Sequence, residues 1–325
     1  MKRFLVIAAI ALATAAQAQT TVYGKLDAGI GITDASGKYT TSVNSGALNG
    51  SRIGFTGTEE IGKGLKGVYT LESGFGIDDG KSGQGGRLFG RQAFVGVQTS
   101  AGTVSFGRQL TPGDTAICSW DVFGCTTNSS TYKVFAANFA NIDNLGQARQ
   151  DNSVKYTSPT VGGVKVEAMW APDERIAGSQ SYQGVAAGFA AGPVAVSGGY
   201  EQQQTYLSSK SNTSWTLGSK YKLMGATLSA GVAGGTSDAS VKDMGYAVGA
   251  SMPLCATTVS AGYASEKSKT AAGAESKSSG YTVNAVQALS KRTNVYAGVN
   301  RQTNDPAVGA TVVTTSMITG IVHSF

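Results

Sequence analysis

A chain of 325 residues is long enough for two soluble domains or for one large closed sheet, and a formal charge of +6 decides nothing between them. Three Cys and one His are too few and too scattered for a zinc centre, so no metal or cofactor is expected. Only 6 Pro argue against a low-complexity protein, and 45 Gly are roughly twice the usual share.

The chain opens with Lys2 and Arg3, an apolar stretch from Phe4 to Ala16 and a small-x-small site at Ala16-Gln17-Ala18. That order predicts a secretory signal peptide over residues 1–18, since the run is too short to cross a membrane as a helix. The mature chain, 19–325, then carries +4. No later stretch is long and apolar enough for a membrane helix. Export leaves a soluble protein or a membrane β-barrel, and a mean hydropathy of −0.06 fits either.

Apolar and polar residues alternate, the signature of half-buried strands. In 20–32, Val22, Leu26, Ala28, Ile30 and Ile32 oppose Tyr23, Lys25 and Asp27. In 65–77, Leu65, Tyr69, Leu71, Phe75 and Ile77 oppose Lys66, Thr70 and Glu72. The same parity holds for Val194, Val196 and Tyr200, for Trp215, Leu217, Tyr221 and Leu223, and for Met244, Tyr246, Val248 and Met252. Helical spacing is sustained nowhere in the mature chain, so the expectation is all-β.

Connections alternate in length. Tight turns are expected at 61–64, 99–102, 159–163, 191–193, 224–225, 253–256 and 290–292, with longer polar loops at 33–50, 78–86, 111–148, 172–180, 205–212, 236–243, 267–278 and 303–310. Seven turns and eight loops join sixteen strands. Short turns on one rim, long loops on the other and an even strand number describe a transmembrane antiparallel β-barrel with short periplasmic turns and long external loops. A barrel of that size encloses water, because side chains cannot fill its lumen. Trp170, Trp215, Tyr69, Tyr200, Tyr221, Tyr246 and Tyr263 face outward and supply interfacial belts. Lys25, Lys66, Lys155, Lys165, Lys220 and Lys222 read as ordinary lumen lining.

Cys118 and Cys125 stand seven apart in the longest loop; spacing leaves a clamping disulfide and two free thiols equally open. Cys255 falls in a turn with no evident partner. An enzyme is not expected: the single His323 has no triad context, there is no Gly-x-Ser-x-Gly elbow, and Gly83-Gln84-Gly85-Gly86 opens no helix that could cradle a phosphate.

Several strings carry a resemblance. Thr21-Val22-Tyr23-Gly24-Lys25-Leu26-Asp27 resembles the first strand of the Gram-negative general-diffusion porins, in their beta-proteobacterial branch. So does the long string Ser51-Arg52-Ile53-Gly54-Phe55-Thr56-Gly57-Thr58-Glu59-Glu60-Ile61-Gly62-Lys63-Gly64-Leu65. Further matches are Arg91 to Gly96, Gly102 to Arg108, Arg149 to Tyr156 and the closing His323-Ser324-Phe325. The resemblance implies a homotrimer of sixteen-stranded barrels in the outer membrane, surrounded by lipid. It implies that the third loop, 111–148, folds into the lumen, and that Phe325 is read by the barrel-assembly machinery.

A porin needs a shaped field rather than reaction chemistry. Arg52, Arg91 and Arg149 match positions where the family carries inward arginines and lie on the face assigned to water; Arg149 and Asp151, two residues apart, could instead form a strut. Asp114, Asp121 and Asp143 are the loop acids that could face them. The Pro-Glu-Phe-Gly-Gly string of enterobacterial porins is absent, so which acid lines the pore does not carry over. The expected activity is passive diffusion of small hydrophilic solutes and ions with a weak to moderate anion preference, and no nucleic acid partner. A channel with a binding site for organic or phosphorylated anions, and a plugged structural or adhesive barrel, are the competing readings.

Overall fold

A computed structural model describes residues 19–138, 148–176 and 179–325; the expected leader lies outside the described residues. The chain meanders as β1 (Gln19–Ala35), β2 (Lys38–Ser45), β3 (Arg52–Gly62), β4 (Leu65–Gly74), β5 (Gln92–Thr99) and β6 (Gly102–Leu110). It continues as β7 (Arg149–Thr157), β8 (Val164–Ala171), β9 (Gln180–Ala191), β10 (Val194–Thr205), β11 (Asn212–Leu223) and β12 (Ala226–Thr236). The last strands are β13 (Lys242–Leu254), β14 (Thr257–Lys269), β15 (Glu275–Ala288), β16 (Thr293–Asp305) and β17 (Val312–Ser324).

Every pairing is antiparallel, and β17 returns to β1 with Lys25 opposite Ser324 and Ala35 opposite Thr314. Gly24 N donates to Phe325 O at 3.0 Å and Phe325 N to Gly24 O at 3.1 Å, extending that seam to the last residue. β2 and β3 both pair with β1: Ala28–Ala35 faces β2, and Gln19–Lys25 faces β3. The two occupy one position, broken by a step at 46–51. Seventeen runs therefore make a closed sixteen-stranded barrel.

Period-two chemistry sets the faces. Val22, Ile30, Leu217, Tyr246 and Val248 are exposed on the outside, while Asp27, Glu72, Glu201 and Thr216 are buried on the inside. Strand partners share a face, as Tyr200 opposite Trp215 shows. Asp27, fully buried, accepts from the Leu48 and Asn49 amides and from Tyr296 Oη at 2.7 Å, so one carboxylate holds the step to β16.

Two expectations need correction. No long loop fills 33–50: β1 runs on to Ala35, turns at Ser36 and Gly37, both at positive φ, and comes back as β2. Most of β2 is exposed on both faces, so it carries no apolar alternation to be read. The fold is also not free of helix. The third loop contains α1 (Pro112–Trp120) and α2 (Ser130–Asn138).

Both helices lie against the inner wall, and the Gly excess explains how. Trp120 covers Gly218 and Gly231; a Cβ at Gly231 would stand 2.6 Å from the Trp120 ring, and one at Gly218 would collide with it. Phe135 covers Gly245, Val122 covers Gly249 and Phe123 covers Gly262 in the same way. Glycine leaves a smooth track that lets the loop approach the backbone of β11 to β14. Trp120, 1 % exposed, donates from Nε1 to Thr216 Oγ1 at 3.0 Å and packs edge-on against Phe135.

Replacing Gly231 by Val should overpack this seat at a cost of about 1–3 kcal/mol. The expected outcome is a larger single-channel conductance with an unchanged strand signature in far-UV circular dichroism. Unaltered conductance and melting temperature would show that the loop does not depend on the track.

Candidate pore constriction

The wall opposite the docked loop is basic. Arg52 begins β3 with Ile53 exposed beside it on the outer face, and its strand partner is Lys25. Its Nε donates to Gly50 O at 2.9 Å, which ties the guanidinium to the step. Arg91 precedes β5 rather than belonging to it, and its Nε donates to Glu72 Oε1 at 2.6 Å. Glu72 also accepts from Tyr23 Oη at 2.9 Å. Arg149 starts β7 and donates from Nε to Arg91 O at 2.6 Å. The three arginines are thus fixed as one row, two of them through backbone carbonyls, which orient a guanidinium without neutralising it.

Further basic residues extend the row. Arg108 donates to Gly90 O at 2.7 Å and to Asp151 Oδ1 at 2.7 Å; Arg87 reaches the same carboxylate at 2.7 Å. Asp151 is therefore held by Arg87 and Arg108, and Arg149 is no strut upon it. Lys155 pairs with Glu167 at 2.8 Å and donates to Leu110 O at 3.1 Å, at the root of the loop. Lys66, read as lumen lining, pairs with Glu60 at 2.6 Å.

The loop acids separate. Thr111 caps α1, its Oγ1 accepting from Asp114 N at 3.2 Å, with Pro112 in the first turn. This places Asp114 within electrostatic reach of Arg149, Lys155 and Arg91; burial pushes its carboxyl up to about 6 against their pull. The N-terminus of α1 rests on Glu201, whose Oε1 accepts from Gly113 N at 2.6 Å and from Tyr182 Oη. Asp121 is 1 % exposed and turned into the loop: it accepts from Cys125 N at 2.8 Å, Ser129 Oγ at 3.0 Å and Thr131 Oγ1 at 3.1 Å. Asp143 lies outside the described residues.

Cys118 and Cys125 are joined as a disulfide that clamps the end of α1 to the Asp121 turn, while Cys255 is free and exposed. Beyond that turn, Thr127 bonds the step, N to Leu48 O at 3.1 Å and Oγ1 to Gly46 O at 2.6 Å. Asn128 Nδ2 donates to Asn284 Oδ1 on β15 at 2.7 Å. Burial lowers the affinity of the Lys133 amine on α2 for its proton. The aperture is bounded by β1 to β7 on one side and the docked loop on the other. Around it Lys25, Arg52, Arg91 and Arg149 outnumber Glu72 and Asp114.

Sequence parity put the three arginines and Lys25 on the face assigned to water but did not group them with Arg108 and Glu72. A signal for α1 was present in Thr111-Pro112-Gly113-Asp114: a capping hydroxyl, Pro in the first turn and an acid three residues on.

A closed barrel with an apolar outside, a polar lumen and an infolded loop defines an outer-membrane channel. The family model for the Gram-negative porin matches residues 5–307, and the chain belongs to that family, whose members are channels of the outer membrane rather than enzymes. Outer membrane porin protein 32 of Delftia acidovorans is 30% identical over 317 residues, 92% of this chain and 88% of that protein. An outer membrane porin protein of Bordetella pertussis is 38% identical over 183 residues, 50% of this chain and 46% of that protein. Among solved structures, the anion-selective porin from Comamonas acidovorans superposes with a TM-score of 0.82 at 28% identity, covering 95% of this chain and all of that one. OmpT of Vibrio cholerae in a trimer form shares the fold, with a TM-score of 0.75 at 17% identity over 95% of this chain and 99% of that one.

The position of Asp114 generates a pH dependence. The carboxyl is charged above about pH 6 and neutral below it, and Arg149, Lys155, Arg91, Glu201 and Tyr182 surround it. Lowering the pH from 7.5 to 5 should raise the chloride-to-potassium permeability ratio, because the cations lose an opposing charge. Asp114→Asn should show the higher ratio already at pH 7.5 and flatten the profile; an unflattened profile would assign the titration elsewhere.

Proposed function

We propose that the protein is a porin passing small hydrophilic solutes and ions by passive diffusion, with a weak to moderate preference for anions set by Arg52, Arg91 and Arg149. The observation that carries this reading is the charge imbalance at the constriction, where two of the three guanidiniums bond to carbonyls rather than to acids. Rings of fixed charge select ions by sign, and a guanidinium stays protonated at any physiological pH. The anion-selective Comamonas neighbour supports the same reading.

The working form is a homotrimer, a state that the trimer form of OmpT supports only by likeness of fold. Residues 1–18 serve as the export signal, removed before assembly, and Phe325, at the end of the closing seam, is the residue offered to the barrel-assembly machinery.

Reversal potentials across a planar bilayer in a potassium chloride gradient test the selectivity. Net anion preference is expected, and clear cation selectivity would sink the reading. Arg149→Ala should lower the preference by up to about fivefold, the worth of one charge a few ångströms from an ion in water. No change in either selectivity or conductance would remove Arg149 from the constriction.

A further inference from the structure

The inner wall holds two acids that neither the constriction nor the anchors of the third loop use. Asp243, the second residue of β13, and Glu266, near the end of β14, point inward at the long-loop rim and are 4 % and 2 % exposed. Asp243 stands directly opposite Ser268, which is also buried and lies two residues beyond Glu266 on the same face. Ser268 Oγ contacts Asp243 Oδ1 and lies 2.9 Å from Glu266 Oε1. One hydroxyl thus joins two carboxylates from adjacent strands.

A serine hydroxyl carries a single hydrogen, and an ionised carboxylate carries none. Ser268 can donate to one acid only, and its other contact sets lone pair against lone pair. The second oxygen of Asp243, Oδ2, is buried beside the first and has no hydrogen-bond partner. A water could donate to Oδ2 but would not supply the hydrogen missing at Ser268. Burying a carboxylate in this state is costly unless a counter-charge or a metal meets it. Among the described residues no cationic side chain lies within electrostatic reach of Asp243. Lys242, Lys267 and Lys269 alternate with the acids along the same strands but stand exposed on the outer face, where Glu275 takes Lys267 at 2.7 Å and Lys269 at 3.4 Å. Lys133 is the one charged residue of α2, whose Phe135 covers Gly245 beside Glu266, and its amine feels burial but no carboxylate.

The donor set selects the occupant. Carboxylates and a hydroxyl are hard oxygen ligands, and calcium gathers about six to eight of these, waters included, in a flexible geometry. The cluster offers no imidazole or thiolate, the ligands that favour zinc or copper. Ser276 and Ser278 on β15 are the strand partners of Ser268 and Glu266, so further hydroxyls border the place. A divalent cation would end the repulsion between the two acids, engage Asp243 Oδ2 and turn the Ser268 oxygen into a ligand. We propose that Asp243, Glu266 and Ser268 hold a divalent cation of the calcium class on the inner wall at the long-loop rim, with waters completing its shell.

Equilibrium dialysis against radioactive calcium chloride tests this on the full protein in maltoside detergent, stripped beforehand with EDTA. The unaltered protein should take up a single calcium per chain with a dissociation constant on the order of 10⁻⁴ to 10⁻³ M, the range of weak extracellular sites. Calcium should also raise its melting temperature, and EDTA should reverse the rise. D243N should weaken uptake about tenfold or more, since affinity follows the number of charged ligands. E266Q should do the same, which keeps the test open if D243N does not fold. The control E59Q/E60Q, which removes two exposed acids at the short-turn rim, should bind like the unaltered protein. No saturable uptake by the unaltered protein, uptake retained in both single variants, or equal loss in the control would overturn the proposal. So would a melting temperature that rises on acidification to pH 5 but not with calcium at pH 7.5, which would assign a shared proton to the two acids instead.

Discussion

Within hydrocarbon a backbone amide finds no water to bond, so each N–H and C=O that crosses must be paired inside the protein. That constraint dictates the closed ring. β1 is an edge until β17 reaches it, and the bonds between Gly24 and Phe325 carry the closure to the final residue. Once sixteen positions are closed, the lumen is wider than side chains can fill. Water enters, and the inner face can hold Glu72, Lys155 and Glu167 at the density found here because each has a partner of opposite charge.

The width of the lumen in turn requires something to narrow it, and the third loop does so by adhering to one half of the wall. Its aromatic residues settle on glycines, where the backbone itself is the contact surface. Asp121, the disulfide and Thr127 hold its middle, and Glu201 holds its start. The other half of the wall keeps its long side chains free of the loop. The asymmetry of the aperture, basic wall on one side and helical shelf on the other, follows from where glycine is placed.

Strand number, facing and the sorting of connections were legible because alternation has a direct physical cause: one face meets lipid and the other water. Where that cause lapses, so does the signal. Lys38–Ser45 meets water on both sides, and nothing distinguished it from a loop. Helices of nine residues show too few turns for periodicity, and α1 announced itself only through its cap. Parity could place each arginine on a face singly, but Glu72 on β4 joins Arg91, just ahead of β5, from nineteen residues away, a relation no local pattern encodes. Asp114 and Asp121 look alike in sequence. The turn that follows Trp120 spends one on local amides and hydroxyls and leaves the other beside the cations.

The Asp27 latch has a bearing on the order of events in assembly. Its partners are Leu48 and Asn49 near the start of the chain and Tyr296 near its end, and the strand it sits on has β17 for a neighbour. A nascent chain that has emerged only through β15 has neither the phenol nor the last ladder, and so holds a buried-to-be carboxylate and an open edge. Joining ends separated by most of the chain is a slow, non-local step. The barrel can therefore become self-sufficient only once β16 and β17 have been made, and until then the chain must be kept unfolded, or its edges covered, by something other than itself.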